Sequence, residues 1–125
     1  MNKICTSIEQ SKKLMELGID VKTADMFWSL NPEVLVASEY MTEDNYIPCV
    51  DAIPAWSLAV LRNLLPTAIK PNKDLYLFES HNTFDNSWVY RYYNEDDVSY
   101  LYCKDINEVD ACYEMIIKLN ELKML

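Results

Sequence analysis

Glycine is almost missing from this chain: one residue in 125, Gly18, where ordinary usage would supply roughly nine. Phosphate-cradling loops, dinucleotide-binding turns and nucleophile elbows need glycine where the backbone turns tightly or approaches a ligand, so none of them can be built here. Histidine is nearly as scarce, with His81 alone. The cysteines at 5, 49, 103 and 112 stand too far apart for Cys-x-x-Cys zinc knuckles. No metal centre and no cofactor are therefore expected. Spacing leaves disulfide pairing open, but a chain with a full hydrophobic core and no secretion signal favours buried free thiols.

Long apolar runs are also missing. Nothing approaches the roughly 18 residues of a membrane span, and the start lacks the apolar stretch of a secretory signal, so the expected address is cytoplasmic with no membrane partner. Positive charge is in short supply: 11 Lys and Arg stand against 20 Asp and Glu, a net charge of −9. The imbalance is concentrated late, since residues 1–31 sum to zero, residues 32–73 to −2 and residues 74–125 to −7. Direct nucleic-acid binding through phosphates wants clustered Lys and Arg and is not expected.

What is present is half hydrophobic and patterned for three helices. Thr6-Ser7 precede Glu9 and Gln10 at capping-box spacing, and Ile8, Ser11, Leu14, Met15 and Leu17 share one side of a helical wheel. Gly18 follows as the left-handed stop, with Ile19 placed to fold back on the last turn. Ile53–Pro66 is predicted as a second helix, with Pro54 in its first turn and Pro66 at its end. Its apolar residues, Trp56, Leu58, Val60, Leu61, Leu64 and Leu65, leave only Ala59, Arg62 and Asn63 as a polar stripe. A third helix starts after Asn107 as N-cap and carries Val109, Cys112, Tyr113, Met115, Ile116, Ile117, Leu119 and Leu122 on a wide apolar arc.

Strands fill the remainder. Met26-Phe27-Trp28 and Val34-Leu35-Val36 suggest two or three, the later pair a hairpin of residues 33–41 with 46–50 that Pro48 confines to a sheet edge. Residues 70–74 read as a linker. Residues 75–80, 87–93 and 98–103 form an antiparallel meander of aromatic and branched residues. The expectation is a single α+β domain over residues 1–125, an antiparallel sheet packed with three helices.

The blocks of residues 7–20 (Ser-Ile-Glu-Gln-Ser-Lys-Lys-Leu-Met-Glu-Leu-Gly-Ile-Asp), Thr23-Ala24-Asp25-Met26, Ile53-Pro54-Ala55-Trp56-Ser57-Leu58 and residues 111–117 (Ala-Cys-Tyr-Glu-Met-Ile-Ile) carry a resemblance. The chain resembles a group of small uncharacterised proteins encoded by phages, prophages and mobile elements of gut anaerobic bacteria. The resemblance implies a mobile-element context and transfers no catalytic residue.

Candidate sites are few. His81 lies in a polar loop near Asp85, an imaginable acid–base pair, but no nucleophile accompanies it. Glu95-Asp96-Asp97 reads as a solvated hairpin turn, and Asp105, Glu108 and Asp110 as charge favouring a helix start. Asp20, Thr23 and Asp25 read as cap and turn residues. The most interesting group is Trp88, Tyr90, Tyr92, Tyr100 and Tyr102, an aromatic sheet surface suited either to cover the core or to anchor a protein partner. The expected function is a non-enzymatic interaction protein of a phage or mobile element, binding a host or self protein through an aromatic or acidic surface, with a homodimer allowed by the wide apolar helix arcs. The alternatives are an acidic nucleic-acid mimic that occupies a DNA- or RNA-binding host protein, and a small-ligand binder.

Overall fold

A computed structural model describes residues 3–30, 33–37 and 52–125. The fold is α+β with two antiparallel sheets, and the chain gathers into two compact units, residues 3–60 and 61–125.

In the first unit, α1 (Ile8–Glu16) opens with the capping box: the Ser7 side chain accepts from the Gln10 amide and the Gln10 side chain accepts from the Ser7 amide. It closes with Gly18 at φ 86°, its N–H donating to Met15 O while that of Ile19 donates to Leu14 O. That double bond set is the Schellman stop, and it explains the position of the sole glycine. A short 3₁₀ turn, Val21–Thr23, capped by Asp20, leads into β1 (Met26–Leu30). This strand lies between β2 (Glu33–Ala37) and β3 (Ala52–Ala55), pairing Phe27 with Val36 on one side and with Pro54 on the other. The predicted pairing of residues 33–41 with 46–50, and Pro48 with it, lies partly outside the described residues; within them, β2 pairs with β1.

The start of the predicted second helix is corrected. Residues 52–55 are a strand, with Ile53 and Ala55 buried in period-two alternation, and helix α2 runs only over Leu58–Leu64. Pro54 fits because β3 is an edge of the described sheet, where a missing N–H is tolerated. The burial pattern survives the change: Trp56, Leu61 and Leu65 are buried while Ala59, Arg62 and Asn63 are exposed.

A polar knot ties the N-terminal segment to the β3–α2 corner. Thr6, fully buried, shares a 2.7 Å hydrogen bond with Ser11 and accepts from the Trp56 amide at 3.1 Å. Its own amide donates to Trp56 O and its carbonyl accepts from the Trp28 indole. The Trp56 indole donates to Thr23 Oγ1, and Asp25 accepts from both the amide and the hydroxyl of Ser57. Thr23 and Asp25 are thus more than turn formers: they hold the corner from which α2 starts.

In the second unit, β4 (Ala68–Ile69), β5 (Tyr76–Asn82), β6 (Trp88–Tyr93) and β7 (Ser99–Asp105) form one sheet in that order. The meander matches expectation and β4 is an addition, too short to leave a sequence signal. Helix α3 (Glu108–Glu121), with Asn107 as N-cap, packs on β6 and β7 through Val109, Cys112, Met115, Ile116 and Leu119. It ends as α1 does, with Lys123 at φ 58° where α1 has glycine. The β5–β6 and β6–β7 turns place Asn86 and Asp97 at positive φ, residues that tolerate this region better than most.

Candidate functional site

Alternation along the meander sorts its side chains onto two faces. Tyr90 and Tyr92 are 0% exposed on the face toward α3, whereas Tyr100 and Tyr102 are 39% and 47% exposed. Register pairs Arg91, not Tyr90 or Tyr92, with Tyr102, so Tyr102 belongs to the opposite face. A register shift near Tyr92 and Tyr93 leaves Tyr100 at an irregularity, where its ring meets buried Tyr76 at 5.2 Å. The five candidate aromatics therefore do not form one surface. Tyr90 and Tyr92 are core, Trp88 is half-buried on their face, and only Tyr100 and Tyr102 present rings to solvent.

The buried pair is fully engaged. Phe78 packs on both rings, at 5.5 and 5.4 Å. The Tyr92 hydroxyl donates to Pro66 O, and that of Tyr90 donates to Glu108, which also takes a 3.0 Å bond from Arg62. Burial and the Glu108 carboxylate push the Tyr90 phenol well above its usual range, and burial does the same for Tyr92. Burial pushes the nearby Cys112 thiol up to about 12, leaving it without nucleophilic thiolate at neutral pH. Cys5 and Cys103 are likewise raised by burial, and all three are free thiols.

On the solvent face, His81 meets Glu79 at 2.6 Å rather than Asp85. Glu79 also accepts from Arg91, which reaches Asp97 on its other side and lies 4.6 Å over the Tyr93 ring. Burial raises the Glu79 carboxyl, but its hydrogen bonds to Arg91 and His81 outweigh that and hold it below the usual range. Asp85 bonds Thr83 and Lys104, which bring it down to about 2. These carboxylates are interleaved with bases rather than set in a bare row. Among the described residues no group of three or more His, Cys, Asp or Glu is placed to hold a metal ion, and no helix is long and apolar enough to cross a membrane.

At the end of the sheet where β5 begins and β6 finishes, the same face dips into an open concavity of about 390 Å³ lined by Asp74, Leu75, Leu77, Tyr93, Asn94, Glu95 and Asp96. Asn94 shapes its wall, its side chain accepting from the amides of Asp96 and Val98. The Glu95-Asp96-Asp97 segment is the hairpin turn expected from sequence, here doubling as a rim. Leu75 and Leu77 are close to half exposed. Sequence reasoning passed over this group because β5 opens with Tyr76-Leu77-Phe78, apolar at three successive positions, so no local polarity difference distinguishes Leu77 from Phe78. It also passed over Phe84, fully exposed at the tip of the β5–β6 turn. Searches of family models, curated proteins and solved structures for similarity to this chain find no match.

Proposed function

We propose that this chain is a non-enzymatic interaction protein of a phage or mobile element that grips a basic, partly apolar segment of a protein partner in the concavity at the β5–β6 end of its second sheet. The observation that carries the reading is the lining itself: three carboxylates, two exposed leucines and a tyrosine ring, with no base among them. Lys and Arg side chains combine a cationic head with an aliphatic stem and complement both components. The mobile-element context rests on the sequence resemblance alone. An acidic mimic of nucleic acid is less favoured, since Arg91, His81 and Lys104 interrupt the carboxylates of the sheet face.

The test is an NMR titration with a short peptide alternating arginine and leucine, beside a glutamate–leucine control. The reading expects shifts confined to residues 74–77 and 93–96 with the arginine peptide only, weakened by salt and abolished by the combined Asp74→Asn, Glu95→Gln and Asp96→Asn variant. Shifts elsewhere, equal response to both peptides, or none at all would refute it.

A further inference from the structure

Among the described residues, the second sheet ends in two unlike edges. β4 covers only two residues of β5, whereas β7 is a seven-residue terminal strand. Which backbone groups of β7 point outward follows from the ladder. The Thr83 amide donates to Ser87 O, so alternation along β6 sends the groups of Val89 and Arg91 toward β5 and those of Trp88, Tyr90 and Tyr92 toward β7. Leu101, Cys103 and Asp105 face back to β6, and Tyr102 and Lys104 direct their N–H and C=O groups off the sheet. Independently, the Lys118 ammonium on α3 reaches Tyr102 O at 2.8 Å, which requires that carbonyl to point outward.

We propose that this edge pairs antiparallel with β7 of a second copy, about a twofold axis at Cys103, joining two four-stranded sheets into one of eight. The inference is independent of the peptide-binding reading, which uses the end of the sheet where β5 begins and β6 finishes. Charge selects the register. An axis at Leu101 would set Asp105 against Asp97 of the other copy, and an axis at Lys104 would set that lysine against itself; like charges directly opposed are unfavourable. An axis at Tyr102 would recruit the irregular stretch around Tyr100. The Cys103 axis pairs Tyr102 with Lys104 in both directions, uses only the outward groups and opposes Asp105 with Leu101.

The helices fit the same symmetry. α3 lies over β6 and β7, so two copies would bring their α3 helices roughly 10 Å apart, two strand spacings, which is a helix-packing distance. Cys103 sits within the electrostatic reach of both Lys118 and Glu114. With α3 antiparallel to its copy about that axis, the dimer we infer would bring Lys118 of one copy toward Glu114 of the other. Lys118 gives up the Tyr102 carbonyl and gains a carboxylate.

Sedimentation equilibrium and amide exchange test this on the full chain. At high micromolar concentration a dimer is expected, with the Tyr102 and Lys104 amides becoming protected as concentration rises while those of Leu101 and Cys103 are protected throughout. Lys118→Glu should weaken association at least about tenfold by opposing like charges, and adding Glu114→Lys should restore it. A chain monomeric at every concentration with those two amides exchanging freely would overturn the proposal, as would a dimer indifferent to Lys118→Glu or not rescued by the swap. Glu114 is exposed and Lys118 half-buried on α3, and circular dichroism establishes that each variant is folded.

Discussion

Replacing Thr6 by valine removes one oxygen from the molecule and almost no volume, which makes it a clean probe of the knot at the β3–α2 corner. In the native chain that hydroxyl is completely buried, bonded to Ser11 Oγ at 2.7 Å and accepting from the Trp56 amide at 3.1 Å. In Thr6→Val the Trp56 N–H is left buried without its acceptor, a cost of about 1–3 kcal/mol, and Ser11 loses a partner worth about 0.5–1.5 kcal/mol. The expected loss is about 2–4 kcal/mol, a large share of a small protein's stability. Because the backbone bonds of Thr6 to Trp56 and Trp28 are untouched, the secondary structure should persist. Urea unfolding followed by tryptophan fluorescence reads the change directly. Ser11→Ala should cost less in the Thr6→Val background than in the native one, since the partner is already gone. A loss below about 0.5 kcal/mol, the range of an ordinary surface change, would show that the hydroxyl does not organise this corner.

The two helix stops make opposite predictions for thermal unfolding. Gly18→Ala meets no atom within 4 Å, so its cost is the left-handed backbone alone, about 1–2 kcal/mol. Lys123→Gly relieves that same penalty at φ 58°, less the entropy of freeing a glycine, for a net gain of about 0.5–1 kcal/mol. Equal effects of the same sign would refute the assignment of both as Schellman stops. Asp85 predicts a pH dependence. Its folded-state carboxyl titrates at about 2, below the ordinary value near 4, so its contribution is intact above about pH 4 and is lost as pH falls toward 2. A carboxyl-carbon NMR titration should find that value, raised in Lys104→Met; an ordinary midpoint would contradict the pairing with Thr83 and Lys104.

Helices that carry their own punctuation were legible from sequence. Ser7 with Gln10, Gly18 with Ile19, and Asn107 before α3 are local signals, and the structure uses each one. The meander was legible for the same reason, being strands divided by Asn/Asp turns. Pro54 misled because proline is acceptable both in a helix's first turn and in an edge strand, and only the pairing with Phe27, a long-range fact, decides. The aromatic surface misled because alternation gives two faces per strand without saying which face of one strand joins which face of the next. That is fixed by register, and the shift at Tyr92 and Tyr93 has no local signature. Trp56, anticipated as a helix residue of the core, proved to be core without being helical.

The bond between Thr6 and Trp56 spans fifty positions of sequence, and this separation constrains the order in which the chain assembles. The cap and the stop of α1, by contrast, lie within a dozen residues, and local contacts of that kind form in microseconds. The strand segment at Cys5 and Thr6 must wait, on a ribosome or in refolding, until Trp56 has arrived. Stitching the N-terminal end into place is thus a late step for residues 3–60, and loop-closure entropy falls on this contact more heavily than on any hairpin of the meander.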